Sequence, residues 1–534
     1  MEEIIAIKSE EKIIEERKKT IKTKLFSWVQ DNYDKAFIGV LILAFVIRVV
    51  VFFITKDQAM WFDGAEYMST AKLWAGVGNM TDLWYYRRGA LWPLFGALFF
   101  KIGLGEVGIR FSEVLFSTGI IAVSYFLVRD MFNKKYALFT AIGLTFSWVA
   151  FFFTGRTMTD IPSTFFILLT LFLFWKGYEM EKGKKYLYLS GLFLAVSVLI
   201  RMQNLMVLPM FFVLAFIKEK FKFLKNKSLW ITLLIFALAL VPHFIVYAKH
   251  FGNPLIDILS YDLGIIKTAA APVARTSVVN WPIYFLDLPY NLTLPIFILF
   301  IIGAVYFFAD LFLGFDKIFK NKTIQSKLFV FLWIALPLLV LGYMQMDPTA
   351  QQRYTLMQHP FLFMIAAIPL FELGKLVEKH LKINKKVIAI LILIILVASL
   401  IPNLVWGYQL TESKKSSYYE LKLAGEWIKQ HSNIDDTIIT QSFPQISYYS
   451  ERRTGTFDDG FKNPESHSGD YFNETSFDEF VNKEKPKFLI LSIFQKHDDW
   501  MVNYPMVHND TWFPVQGYQQ DNQPILVIYQ ANYN

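Results

Sequence analysis

Runs of about 20 mostly apolar residues recur along this chain, and few folds accommodate them. They cover about 37–55, 107–128, 136–153, 162–177, 186–200, 203–217, 229–248, 283–309, 328–345, 355–373 and 387–408, eleven in all. A helix of that length crosses the hydrocarbon core of a bilayer with its backbone hydrogen bonds closed on themselves. The expected fold class is therefore a polytopic α-helical membrane protein with about 11 transmembrane helices. Of the 534 residues 54% are hydrophobic and none is Cys, which excludes disulfides, thiolate metal sites and thiol nucleophiles.

Positive charge sets an orientation. With the N-terminus inside, the segments 1–36, 129–135, 176–185, 218–228, 310–327 and 374–386 hold 29 Lys and Arg, and the alternate segments hold 10. Cytoplasmic loops collect Lys and Arg, so this asymmetry predicts an N-in topology and accounts for the basic balance without nucleic acid as a partner. Residues 1–36 read as a charged amphipathic cytoplasmic helix and 37–408 as the membrane domain. The loop 56–105 reads as interfacial helices rich in Trp and Tyr.

An odd number of spans puts 409–534 outside. Residues 412–534 hold 11 Lys and Arg against 18 Asp and Glu, so an acidic domain follows a basic membrane part. Residues 417–430 read as an amphipathic helix; 437–440, 487–492 and 524–529 read as strands; 455–475 reads as a polar loop. Together they predict a small extracytoplasmic α/β domain.

Two acids fall at one membrane level in this topology. Asp63 follows the first span, and Asp63, Glu66 and Tyr67 share a helix face if a helix starts there, with Gly64 letting the backbone turn. Asp160 links two later spans ahead of Pro162. Each acid also admits a plainer role as a helix N-cap. Arg88, Arg110, Arg156 and Arg201 gather at the same level, and Arg353, beside Tyr354, is the only Lys or Arg of 346–356. A planar guanidinium makes paired bonds to phosphate, so acids and arginines on one face suit a reaction on an anionic lipid. A transporter would place its ionisable groups near mid-membrane and show paired repeats, and no repeat is visible.

These patterns resemble the GT-C polyprenyl-phosphate-sugar glycosyltransferases, which include protein O-mannosyltransferases and aminoarabinose transferases. The resemblance rests on Arg48, on Asp63-Gly64-Ala65-Glu66-Tyr67, on Arg88-Gly89-Ala90-Leu91-Trp92-Pro93 and on Gly108-Ile109-Arg110. It continues through Arg156 to Pro162, Phe251 to Pro254, and Arg353-Tyr354 with Pro360. The family often has Asp-Glu where Gly64 follows Asp63 here. The Trp-Trp-Asp signature of oligosaccharyltransferases is absent from the C-terminal segment, which disfavours transfer of a whole oligosaccharide.

The resemblance implies transfer of one sugar, mannose or another hexose, from a polyprenyl- or dolichyl-phosphate donor to a hydroxyl of a protein, glycan or lipid acceptor, with inversion. Asp63 is the expected base, with Asp160 and Glu66 as further catalytic candidates. Arg353, Arg201, Arg110, Arg88, Arg156, Tyr354 and Tyr67 are expected to bind substrate. A divalent cation, Mg or Mn, is an alternative use of the two acids. His359 is expected to be structural.

Overall fold

A computed structural model describes residues 32–83, 88–251, 253, 280–344, 349–381, 385–461, 472–520 and 522–533. The predicted N-terminal amphipathic helix lies outside the described residues up to 31. So do residues 84–87, Pro254 and the centre of the 455–475 loop.

The membrane part is built from α1 (Tyr33–Thr55), α2 (Phe62–Trp74), α3 (Leu91–Lys101), α4 (Gly105–Met131), α5 (Lys134–Phe146), α6 (Trp148–Phe152), α7 (Asp160–Phe174) and α8 (Lys184–Ile200). It continues through α9 (Leu208–Glu219), α10 (Lys227–Phe251), the short α11 (Ile283–Leu286) and α12 (Leu288–Leu292), α13 (Leu294–Leu313), α14 (Lys322–Met344), α15 (His359–Leu381) and α16 (Lys385–Ser413). Among the described residues, eight helical stretches are long and apolar enough to cross a membrane: α1, α4, α7 with its π-turn, α10, α13, α14, α15 with the turn before it, and α16. Ile42, Val46, Val50 and Phe53 of α1 are exposed at helical spacing, as a lipid-facing stripe requires.

The other three predicted spans are shorter or broken. Residues 136–153 form α5 and α6, with a break at Ser147. α8 has 17 residues, and 203–217 is a 3₁₀ turn (Met202–Val207) leading into α9. The break at Ser147 has a partner far away in sequence. The last carbonyls of a helix need donors from outside it. Arg48, fully buried in α1, donates to Leu144 O at 3.0 Å and Thr145 O at 3.2 Å, and its Nε reaches Ser117 Oγ at 2.9 Å. One guanidinium thus ties α1 and α4 to the end of α5.

The C-terminal part contains α17 (Tyr419–His431), β1 (Thr437–Thr440), α18 (Phe443–Ser450), β2 (Arg453–Gly455), α19 (Glu474–Glu484), β3 (Phe488–Ser492), α20 (Asp499–Val507), β4 (Trp512–Gln520) and β5 (Gln523–Ala531). The strand order is β2-β1-β3-β5-β4, with β1 parallel to β2 and β3, and β5 antiparallel to β3 and β4. Successive strand residues face opposite sides. Ile438 packs with Leu421, Ala424 and Ile446 on one face, and Ile439 packs with Phe477, Val481 and Met501 on the other.

α18 lies along α2. Phe443 meets the Phe62 ring edge-on at 6.2 Å, Ser69 Oγ donates to Pro444 O at 3.3 Å, and Met60 N–H donates to Tyr449 Oη at 2.8 Å. Lys72 donates to Tyr448 O and pairs with Glu451, both at 2.9 Å, and Glu451 also takes Lys429 at 2.7 Å. Burial works against the Glu451 charge, but the bonds from Lys429 and Lys72 outweigh it and hold the carboxyl below its ordinary value. A lowered carboxyl stabilises the docked form above its unfolded pKa, and that contribution is lost as pH falls through the lowered value. Removing one member of a mostly buried pair costs about 3 kcal/mol. Lys72→Met is therefore expected to loosen the domain, read as faster proteolysis of the 414–418 connection, and acidification of the unaltered protein is expected to do the same.

Candidate active site

Both acids open helices, and neither caps one. The N-cap positions belong to Trp61 and Thr159, without side-chain cap bonds. The carboxylates bond arginines instead. The positive ends of α2 and α7 favour an anion at these positions. Gly64 lies inside α2 rather than in a turn, and its lack of a side chain serves a close approach. A Cβ there would stand 2.7 Å from Thr157 Oγ1 and 3.0 Å from Arg156 O. This contact brings the start of α2 against the loop that delivers Asp160. Gly64→Ala is expected to destabilise the packing by about 1–3 kcal/mol, as overpacking does. It is also expected to lower activity, which a melting curve and a turnover assay read together.

Arg353, in the 3₁₀ turn Gln352–Gln358, joins the two acids. Its Nη2 lies 2.9 Å from Asp63 Oδ2 and its Nη1 lies 3.9 Å from Asp160 Oδ2. Arg201, held extended where α8 ends, pairs with Asp160 from the other side. The Tyr354 ring meets both cations, 4.4 Å from the Arg201 guanidinium and 5.2 Å from that of Arg353. Burial is the largest influence on Arg201 and works against its charge, but the Asp160 carboxylate and the Tyr354 and Tyr67 phenols together outweigh it, so this guanidinium sits above its ordinary value. The acids differ in access: the Asp63 side chain is 34% exposed and that of Asp160 is 2% exposed.

These groups line a cavity of about 340 Å³. Its lining includes the polar residues Asp63, Tyr67, Arg88, Asp160, Arg201 and Arg353 and the apolar residues Met202, Leu205, Met206 and Val340. Glu66 is buried beneath the wall and pairs with Arg88, whose guanidinium lies 5.3 Å over the Tyr67 ring. Burial pushes the Tyr67 phenol up. Arg110 and Arg156 do not line the cavity. Arg110 bonds Glu106 and the carbonyls of Thr55, Gln58 and Gly155. Arg156 bonds Phe152 O and Gln58, against the Trp61 ring. Both are framework. Asp63 and Asp160 are bridged by a guanidinium, and among the described residues no three His, Asp or Glu gather as a metal site would. His359 is buried between Ser147 and Thr355, 3.2 Å from each hydroxyl.

Residues 88–246 match the family model described as dolichyl-phosphate-mannose-protein mannosyltransferase. Among solved structures, ArnT from Cupriavidus metallidurans in the apo state superposes with a TM-score of 0.62 at 14% identity, covering 92% of this chain and 98% of that one. This is a GT-C glycosyltransferase fold. The same ArnT bound to undecaprenyl phosphate gives a TM-score of 0.62 at 13% identity, with 92% and 98% covered. The Archaeoglobus fulgidus oligosaccharyltransferase tethered with an acceptor peptide gives 0.60 at 12% identity, covering 95% of this chain and 75% of that one. No curated protein matches the chain at a significant level. The helical GT-C architecture and the small C-terminal sheet domain agree with the sequence-based expectation, and family match and fold together make the chain a membrane glycosyltransferase.

Three residues of this GT-C site escaped the sequence reading. Gln58 bridges Arg156 and Lys414 O, joining the loop that leads to Asp160 to the C-terminal connection. Glu113, fully buried in α4, accepts Thr157 N–H at 3.0 Å and with Arg110 pins the loop that ends at Asp160. That loop includes Thr157 at φ 60° and Gly155 at φ 83°. Asp287 accepts from Asn291 at 2.8 Å and Gln352 at 3.2 Å, holding the turn that carries Arg353. Burial pushes its carboxyl up to about 6. A signal for Asp287 existed, because it is the one acid in the apolar run 283–309.

Proposed function

We propose that the chain is an inverting glycosyltransferase that moves a single sugar, mannose or a similar hexose, from a polyprenyl- or dolichyl-phosphate donor to an acceptor hydroxyl on the non-cytosolic face. The C-terminal domain lies on that face too. The observation that carries the reading is the unequal exposure of two acids on one arginine. Asp63 is open enough to meet an acceptor hydroxyl, whereas buried Asp160 can only hold cations. The cavity's mixed polar and apolar lining suits a phosphate headgroup with a lipid tail. Further support comes from relatives of the same fold. One is bound to undecaprenyl phosphate, another is in complex with an inhibitory peptide and a dolichol-phosphate, and the matching family model is named for mannose transfer from dolichyl phosphate.

In the proposed step the acceptor oxygen attacks the anomeric carbon as the bond from that carbon to the phosphate oxygen breaks. Asp63 takes the hydroxyl proton. The leaving polyprenyl phosphate gains negative charge, and Arg201 and Arg353 stabilise it in place. Asp160 keeps both guanidinium groups aimed, Glu66 does the same for Arg88, and the Tyr354 ring supports both cations. Direct displacement inverts the anomeric centre. A transfer assay with radiolabelled polyprenyl-phosphate mannose, glucose and aminoarabinose on purified protein tests this. Label should pass from one of them to a hydroxyl acceptor, with a product of opposite anomeric configuration. Retention of configuration, or label crossing the bilayer without transfer, contradicts the reading.

A further inference from the structure

Open α/β sheets bind ligands outside the carboxyl ends of their parallel strands, where neighbouring strands send their following segments to opposite faces. The C-terminal sheet has such a point between the parallel neighbours β1 and β3. After Thr440 the chain enters α18, whose Ile446 packs on the face of Ile438 and Ile490. After Ser492 it leads to α20, whose Met501 and Tyr504 pack on the opposite face with Ile439 and Leu489.

The carboxyl edge between them is polar. Ser442 Oγ and Ser492 Oγ are 2.8 Å apart, and Gln441 Nε2 donates to Asp458 Oδ2 at 2.9 Å. His497 Nδ1 lies 2.9 Å from Gln495 O, while its Nε2 is buried with no hydrogen-bond partner among the described residues. Burial holds His497 below its ordinary value, so the ring is neutral at pH 7. The Phe457 ring lies 6.1 Å from His497 and 6.2 Å from half-buried Trp500.

We infer that this crevice binds a neutral, hydroxyl-rich glycan that forms part of the acceptor. Its role as an acceptor site rests on the transferase reading above; its ability to bind does not. A carboxylate, an amide and a neutral imidazole, none of them fully buried, offer the mixed donors and acceptors that sugar hydroxyls require, and an indole face suits a sugar ring. Among the described residues the cluster contains no Lys or Arg, which favours a neutral ligand over a phosphate. Its position fits the role. Along the α2–α18 contact Phe443 meets Phe62 and Tyr448 meets Lys72, so the carboxyl edge of the strands faces the Asp63 end of α2.

The test is saturation-transfer NMR on the full chain in nanodiscs, with methyl α-mannoside, methyl β-glucoside, N-acetylglucosamine and a Ser/Thr-rich peptide as probes. At least one of the sugars should bind the unaltered protein and Asp63→Asn equally well. Its dissociation constant should rise at least about tenfold in Asp458→Asn and Gln441→Ala, the loss of a hydrogen bond to a charged group. Trp500→Ala, nearer the surface, gives the same answer should those variants fold poorly. Binding by the peptide alone, binding by no sugar, or equal binding by all variants overturns the inference. Sugar binding retained together with undiminished turnover by Asp63→Asn would instead sink the transferase mechanism and leave the crevice standing.

Discussion

Asp63→Asn is expected to lower turnover at least about a hundredfold, the low end for loss of a general base. The protein should insert and melt as before. Asn is nearly isosteric with Asp and still accepts the hydrogen bond from Arg353 Nη2, so the geometry at the start of α2 survives. What disappears is the group that takes a proton from the acceptor. The loss should appear in kcat with donor affinity little changed, because an interaction made only in the transition state affects the rate and not ground-state binding. Asp160→Asn should behave differently. Asp160 is buried and bonds Arg201 and Arg353, so its loss should weaken donor binding and stability together.

The second large effect belongs to Arg353→Ala. This guanidinium lies within salt-bridge distance of two carboxylates from helices nearly 100 residues apart, and truncation leaves Asp63 without that partner. Removing one member of a buried hydrogen-bonded charge pair costs about 2 kcal/mol or more, which weakens affinity about 30-fold. Polyprenyl-phosphate binding is the measurement, by titration against the purified protein. Arg353→Lys should restore little of it, because an ammonium is a point charge without the planar fork that serves two acids and a phosphate together. Unchanged donor affinity in Arg353→Ala would remove it from the phosphate site.

The sequence pattern located the helices well because hydropathy is a local property, and bilayer thickness dictates its period. It could not locate the break at Ser147. The carbonyls freed there are satisfied by Arg48, about a hundred residues earlier, and that compensation leaves no local trace. Strand β4 also escaped: it is an edge strand, mostly exposed, whose polar end Gln516 to Gln520 lacks apolar alternation. The candidate site was half legible. Asp63, Asp160, Arg201 and Arg353 stood out as charges at helix boundaries on one membrane level, and the fold brings these four together. Arg110 and Arg156 carried the same signal and yet serve backbone carbonyls. Guanidinium groups for phosphate and for framework look alike until their acceptors are known. The role of Gly64 was invisible for the same reason, since the atom it makes room for, Thr157 Oγ1, lies on another loop.

In the proposed mechanism Arg353 and Arg201 hold a lipid phosphate beside Asp63. A cryo-EM map of the chain with polyprenyl phosphate tests it most directly. Phosphate oxygens are expected about 3 Å from both guanidinium groups, at the distance of charge-assisted hydrogen bonds, with the lipid tail leaving along Met202, Leu205 and Met206. A phosphate bound elsewhere, with Arg353 still closed on Asp63 and Asp160, would contradict it.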